Sequence, residues 1–169
     1  ALEGLVQIIP NKGAFVTGIS SQDVMDMYQI RARLEGLCAS MAAGRATKEQ
    51  LEGMEEAIVL SDYHAGKGNY EQVCQQDGRF HELLYEASGS RILVHTLGDF
   101  HQYLQRVRKA SVQYRMRVRP SNSEHREILE AIRQGNSQEA EKAAYGHIAN
   151  TIENLKNFDI EKVLREEMK

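Results

Sequence analysis

Proline occurs twice in this chain of 169 residues, at Pro10 and Pro120, and long stretches carry no helix breaker at all. An interior proline removes a backbone donor and clashes with the preceding turn, so its absence leaves those stretches free to coil. Apolar residues recur there at spacings of three and four, the period of a half-buried helix. An all-α fold follows, and 169 residues suffice for one domain with a sizeable core. Hydrophobic residues make up 41% and charged ones 27%, which excludes a disordered chain. A formal net charge of −3 excludes a domain built as a whole to grip a polyanion. No apolar run is long enough to span a bilayer, and Ala1-Leu2-Glu3-Gly4 does not open a signal peptide. Cys38 and Cys74 lack metal-type spacing and read as buried reduced thiols of a cytoplasmic protein.

Residues 1–18 differ from the rest. Leu5 to Ile9 and Ala14 to Thr17 are short β-type runs around the turn residues Pro10-Asn11-Lys12-Gly13. This reads as a hairpin, the remnant of a preceding domain, because two strands alone are barely stable in water. Ser20 or Ser21 then caps a first helix with Asp23 in its opening turn, and Met27, Ile30, Leu34, Leu37 and Met41 mark its expected buried stripe. Thr47 and Gln50 form a capping box for a second helix, which fades near Ala65-Gly66-Lys67-Gly68. Asn69 caps a third, from Tyr70 to about Ala87, and Ser88-Gly89-Ser90 breaks it. A fourth runs from Arg91 to about Arg117, with Ile92, His95, Leu97, Phe100, Leu104 and Val107 near its inner face. Pro120 ends the connection; Ser121 with Glu124 signals the cap of a fifth helix, which stops at Gly135. Ser137 opens a sixth with Ala140, Ala144, His147, Ile148 and Ile152 inside, and the charged residues after Phe158 are expected to fray.

The chemistry-bearing residues gather on the inner stripes. Asp77 and His81 stand four apart, so on a helix they share one face. His125 and His147 also fall at inward positions of their helices. One aspartate and three histidines from three helices would make a mononuclear site for zinc, nickel, manganese or iron. The competing readings are an ion pair on a solvated face for Asp77 and His81, and hydrogen-bonded core histidines for the other two. His64 reads as solvated in a polar turn, His95 as lining a cavity and His101 as surface or interface. Arg31 stands at the edge of the first stripe, either salt-bridged to Glu35 or aimed as a guanidinium fork at a carboxylate. Arg106, Arg108, Lys109, Arg115, Arg117 and Arg119 read as a solvated basic face.

The order of these motifs resembles a known family. Gly4-Leu5-Val6 followed by Pro10-Asn11-Lys12-Gly13-Ala14-Phe15-Val16 resembles the wing of the winged helix-turn-helix in GntR-family regulators. Ile30-Arg31-Ala32-Arg33-Leu34-Glu35-Gly36 resembles the opening helix of their FCD effector domain, the FadR subfamily. Asp77-Gly78-Arg79-Phe80-His81, Ala87-Ser88-Gly89-Ser90, Glu124 to Ile132 and Ala140 to His147 follow in that domain's order. The resemblance implies an antiparallel bundle of six to seven helices around a central metal-containing cavity. Residues 1–18 would be the wing remnant, and 19–169 the effector-binding and dimerisation domain. It implies Asp77, His81, His125 and His147 as metal ligands and Arg31 as a contact to a small carboxylate effector. It implies also a homodimer that meets operator DNA only through an N-terminal domain. Ser90 departs from the asparagine frequent at its position, which affects a cavity contact but not the metal.

Two rivals belong to other classes. A metalloenzyme could use an open metal position to activate water, yet Tyr85 stands where a His-Glu-x-x-His motif needs its second histidine. Glu82 and Glu124 follow and precede ligands directly, which turns them about 100° away along a helix. A structural bundle with a stability metal is the third reading, although closed structural zinc sites prefer cysteines. A ligand sensor rather than an enzyme is therefore expected.

Overall fold

The fold is seen in a computed structural model that describes residues 6–9, 13–16, 19–113, 118–157 and 159–165. Strands β1 (Val6–Ile9) and β2 (Gly13–Val16) pair antiparallel, with Val6 opposite Val16 and Ile9 opposite Gly13. The expected turn at residues 10–12 lies outside the described residues. Beyond Ile19 every regular element described is a helix: α1 (Ser21–Ala42), α2 (Lys48–Lys67), α3 (Tyr70–Ala87), α4 (Arg91–Gln113), α5 (Val118–Arg133), α6 (Ser137–Leu155) and α7 (Ile160–Arg165). No described helix is long and apolar enough to cross a membrane.

Local chemistry accounts for most boundaries. Ser20 Oγ accepts from the Asp23 amide while Asp23 accepts from the Ser20 amide, a closed capping box on α1. Thr47 and Gln50 do the same for α2. That helix ends where Gly68 takes φ 74°, a left-handed cap costing an L side chain far more than glycine. Three boundaries depart from expectation, whereas α6 opens at Ser137 as expected, with Asn136 as its cap accepting from the Glu139 amide. Asn69 makes no side-chain cap on α3. Pro120 lies inside the first turn of α5, where its missing N–H is no loss. The tail past residue 158 winds into α7 because Ile160 is buried against the rest of the core.

The bundle packs α1 against α6, α2 against α3, and α5 against both α2 and α6, with α4 covering α1 and α3. Small residues set the closest approach. Ala32, Ala39 and Ala42 of α1 are buried, as are Ala140 and Ala144 of α6, and a Cβ on Gly36 would meet the Glu141 carbonyl at 3.2 Å.

The buried face of α1 is only partly the one its apolar spacing suggested: Met27 is buried and Leu34 and Met41 are half-buried against the core. Ile30 and Leu37 are 49% and 45% exposed, whereas Arg31 and Glu35 are 2% and 0% exposed. On α4, Ile92 and His95 likewise face outward, and Leu93, Leu97, Phe100, Leu104 and Val107 form the inner stripe. Both helices are apolar on more than one side, so periodicity alone could not choose the face. On α1 the polar pair decides it: Arg31 Nε donates to Glu35 Oε1 at 2.6 Å, and the Tyr85 hydroxyl of α3 donates to the same oxygen. Burial acts to raise the Glu35 carboxyl, but Arg31 first, then His81 and Tyr85, hold it well below the usual range.

Removing one partner of such a pair strands a buried charge. Glu35→Ala is expected to cost about 3–5 kcal/mol in equilibrium urea unfolding. The exposed control Glu127→Ala should stay within about 0.5 kcal/mol.

Candidate metal centre

Three helices deliver one histidine each to the centre of the bundle. His81 of α3, His125 of α5 and His147 of α6 are 1%, 1% and 4% exposed. One ring nitrogen of each lies within 4.8 Å of the others. His125 Nε2 and His147 Nε2 stand 3.2 Å apart, and the His81 ring centroid is 5.1 and 5.2 Å from theirs. Phe80 stacks on the His125 ring at 4.1 Å and fixes its plane.

The sequence-predicted acid sits beside this cluster rather than inside it. Asp77 Oδ1 is 3.7 Å from His125 Nε2, while Oδ2 accepts from Arg108 of α4. Burial would raise the Asp77 carboxyl, yet Arg108, with His81 and His125, holds it well below its ordinary value. Arg31 also reaches the centre. Its Nη2 is buried without a hydrogen-bond partner, and together with Asp77, His81, Arg108, Asn122 and His147 it lines a cavity of about 50 Å3. That volume suits an ion with a water or two.

The ring electrostatics suit a cation. Burial, chiefly, lowers the pKa of His81. Burial and then the neighbouring His147 hold that of His125 well below the ordinary value. Neutral imidazole is the form that ligates a metal. A carboxylate can only accept, so the 2.7 Å contact between His147 Nδ1 and Glu124 Oε2 makes Nδ1 the donor and turns Nε2 inward toward the cluster. A carboxylate behind a histidine in this way is the usual outer support of a metal ligand. His81 Nδ1 lies 3.1 Å from Glu35 Oε2, too far out of line for a hydrogen bond, and remains a buried polar atom without one. Donor set, burial and orphaned nitrogen all fit a transition ion.

Several residues escaped the sequence reading. Arg108 does not belong to a solvated basic face: it is 8% exposed and turned into the cavity. Its position four residues after Leu104, on the inner stripe, was the available signal. His101 is half-buried against Arg108, and burial with the adjacent guanidinium pushes its pKa down to about 2. Ser121 and Glu124 lie inside α5 rather than at its start; Glu124 supports His147 and accepts from Asn150 at 2.9 Å. The 100° turn along α5 aims it past the cluster's centre, at the back of a ligand from another helix. Ser61 and Asn122 form a buried polar pair at 3.1 Å with no sequence signal beyond their residue types. His64 lies half-buried within α2 rather than in a turn. Cys38 is buried and Cys74 half-buried, both as free thiols.

A helical bundle closed around a charged, histidine-lined cavity defines a class of ligand-sensing regulatory domain. Residues 26–150 match the FCD domain family, and the chain belongs to it: this is the effector-binding domain of a GntR-type transcriptional regulator. It is 25% identical over 156 residues to the uncharacterized HTH-type transcriptional regulator YdhC of Bacillus subtilis (strain 168), covering 92% of this chain and 70% of that protein. It is 31% identical over 141 residues to a putative L-lactate dehydrogenase operon regulatory protein of Escherichia coli (strain K12), covering 79% of this chain and 52% of that one. These relatives are named as transcriptional regulators, not as enzymes. The fold is shared with E. coli McbR/YncC at TM-score 0.73 and 16% identity, over 91% of this chain and 74% of that structure. It is shared also with a Streptococcus agalactiae GntR at TM-score 0.66 and 22% identity, over 88% and 74%.

Buried imidazoles that refuse protons give the metal-free chain a pH dependence. The unfolded chain takes up a proton at each histidine near the ordinary value of 6.5, while folded His81 and His125 do not. Their stabilisation is complete above that value and lost progressively below it. Glu35 and Asp77 act lower, with stabilisation lost only below their ordinary 4.5 and 3.8. Urea midpoints of metal-free protein should therefore fall between about pH 7 and pH 5, and His125→Gln should flatten that slope. An unchanged slope would assign the dependence to other groups.

Proposed function

We propose that His81, His125, His147 and Asp77 hold one divalent transition ion per chain, zinc or nickel first and manganese or iron as alternatives. The observation that carries this is the convergence of three buried imidazoles from three helices, one of them held from behind by Glu124. Asp77 supports the set as a half-buried, ionised carboxylate whose Oδ1 is turned toward His125. Such an ion supplies a Lewis-acid position that accepts an oxygen of a small carboxylate effector.

Arg31 is the effector contact in this reading. Glu35 neutralises its charge at 2.6 Å, yet its buried Nη2 has no hydrogen-bond partner, and Arg31 lines the cavity. A carboxylate there would meet it with a charge-assisted bond. The effector would touch α1 through Arg31, α3 through the Asp77–His81 turn, and α5 and α6 through their histidines. Binding that differs between two arrangements of these helices biases whatever is attached to α1. In this reading β1 and β2 are the wing of a winged-helix DNA-binding domain, the protein is a cytoplasmic homodimer, and operator DNA is met through that N-terminal domain.

The test is metal content by mass spectrometry of tag-free protein, followed by carboxylate titration with thermal denaturation. About one ion per chain is expected, lost in His125→Ala, with small organic acids at millimolar concentration raising the melting temperature of the loaded protein only. No uptake of zinc, nickel or manganese would overturn the site, and a loaded protein deaf to every acid would overturn the sensor.

A further inference from the structure

Arg108 is the buried cation to which the reading above gives no role. It lines the same cavity as Arg31, Asp77, His81 and His147, and is 8% exposed. Among the described residues its guanidinium meets two partners: Nη2 donates to Asp77 Oδ2, and Nη1 meets His101 Nε2. An imidazole brings no negative charge, so Asp77 is the anion of the two.

A bound ion would therefore leave Asp77 serving two cations, the ion and Arg108, with one charge. Its Oδ1 faces the histidine cluster and its Oδ2 faces Arg108. Once a divalent ion draws on that carboxylate, Arg108 is left buried beside a doubly charged neighbour. A guanidinium does not shed its charge as a carboxyl can, so it needs another anion. Arg31 is in a different position: Glu35 at 2.6 Å stays with it, and its buried Nη2 is the nitrogen without a hydrogen-bond partner.

We propose that Arg108 is a second anion-recognising residue of this cavity, and that it selects an effector with two carboxylates. The inference rests on the metal and carboxylate reading given above. One carboxylate meets the ion and the spare Nη2 of Arg31; the other takes the planar fork of Arg108 as Asp77 releases it. The cavity of about 50 Å3 in the present arrangement is too small for such an acid, because the Arg108 side chain occupies the space beside Asp77. Swinging onto the ligand both vacates that space and carries the charge with it. Arg108 specifies the ligand and, standing on α4, adds that helix to those the ligand touches.

The test compares succinate with butyrate, which share a four-carbon skeleton and differ by one carboxylate. Isothermal titration of the zinc-loaded chain should show succinate binding about 10- to 100-fold more tightly, the worth of one charge-assisted contact. In a zinc-loaded Arg108→Gln chain the preference should shrink to about twofold, and Arg108→Lys should keep part of it. Equal affinities in the wild type, or an undiminished preference in Arg108→Gln, would overturn the proposal. Should the glutamine variant fail to fold, the wild-type comparison and the lysine variant decide. Butyrate binding without a preference would sink Arg108 selectivity and leave the carboxylate sensor standing, whereas binding of neither acid, with other small acids equally inert, would sink both.

Discussion

A buried charge in this bundle must be met by another, and most of the centre follows from that requirement. Arg31 and Glu35 lie in the core with essentially no exposure, and neither could stand there alone. Their pairing settles which face of α1 turns inward, and Tyr85 and His81 of α3 close on the same carboxylate. On the opposite wall, Asp77 and Arg108 repeat the arrangement between α3 and α4. The cavity is thus lined by Arg31 and by the Asp77–Arg108 pair, set among Tyr28, Val73, Val118 and Ile148. Such a centre contributes little net stability compared with a hydrophobic one of equal volume, and it is the kind of centre a charged ligand can enter.

The three histidines occupy the space between those pairs. Deep burial lowers the pKa of His81 and His125, although ionised Glu35 and Asp77 are both close by. Desolvation wins because a full positive charge loses more by leaving water than a carboxylate several ångströms away returns. The outcome is an array of lone pairs in a site already containing two carboxylates and two guanidiniums. A cation added there, and an anion added after it, would each find complementary charge. Small residues along α1 and α6 hold the frame close enough for the rings to meet.

Much of the frame was legible without coordinates. Helices α1 to α6 follow from apolar spacing, the capping boxes at Ser20 and Thr47, and the glycines at 68, 89 and 135 with φ near 70°. His81, His125 and His147 were placed inward by position alone, and the structure brings them together. Ile30, Leu37 and Ile92 show the limit of the method: each belongs to an apolar spacing, yet each faces outward because a second face of the same helix competes. Arg108 was assigned to solvent by its residue type, and Asn69 to a cap it does not make.

Helix period, capping chemistry and the identity of the ring-bearing residues are local properties, so the order of amino acids settled them. Which stripe faces inward, and which charge meets which, are relations between helices far apart in sequence. Asp77 and Arg108 are 31 residues apart, Glu35 and Tyr85 50, and Glu124 and His147 23. Each pairing lowers the cost of burying both members, and that cost exists only once the helices have excluded water. Packing therefore decided the charges of the site, while the chain's own chemistry decided that there would be helices to carry them.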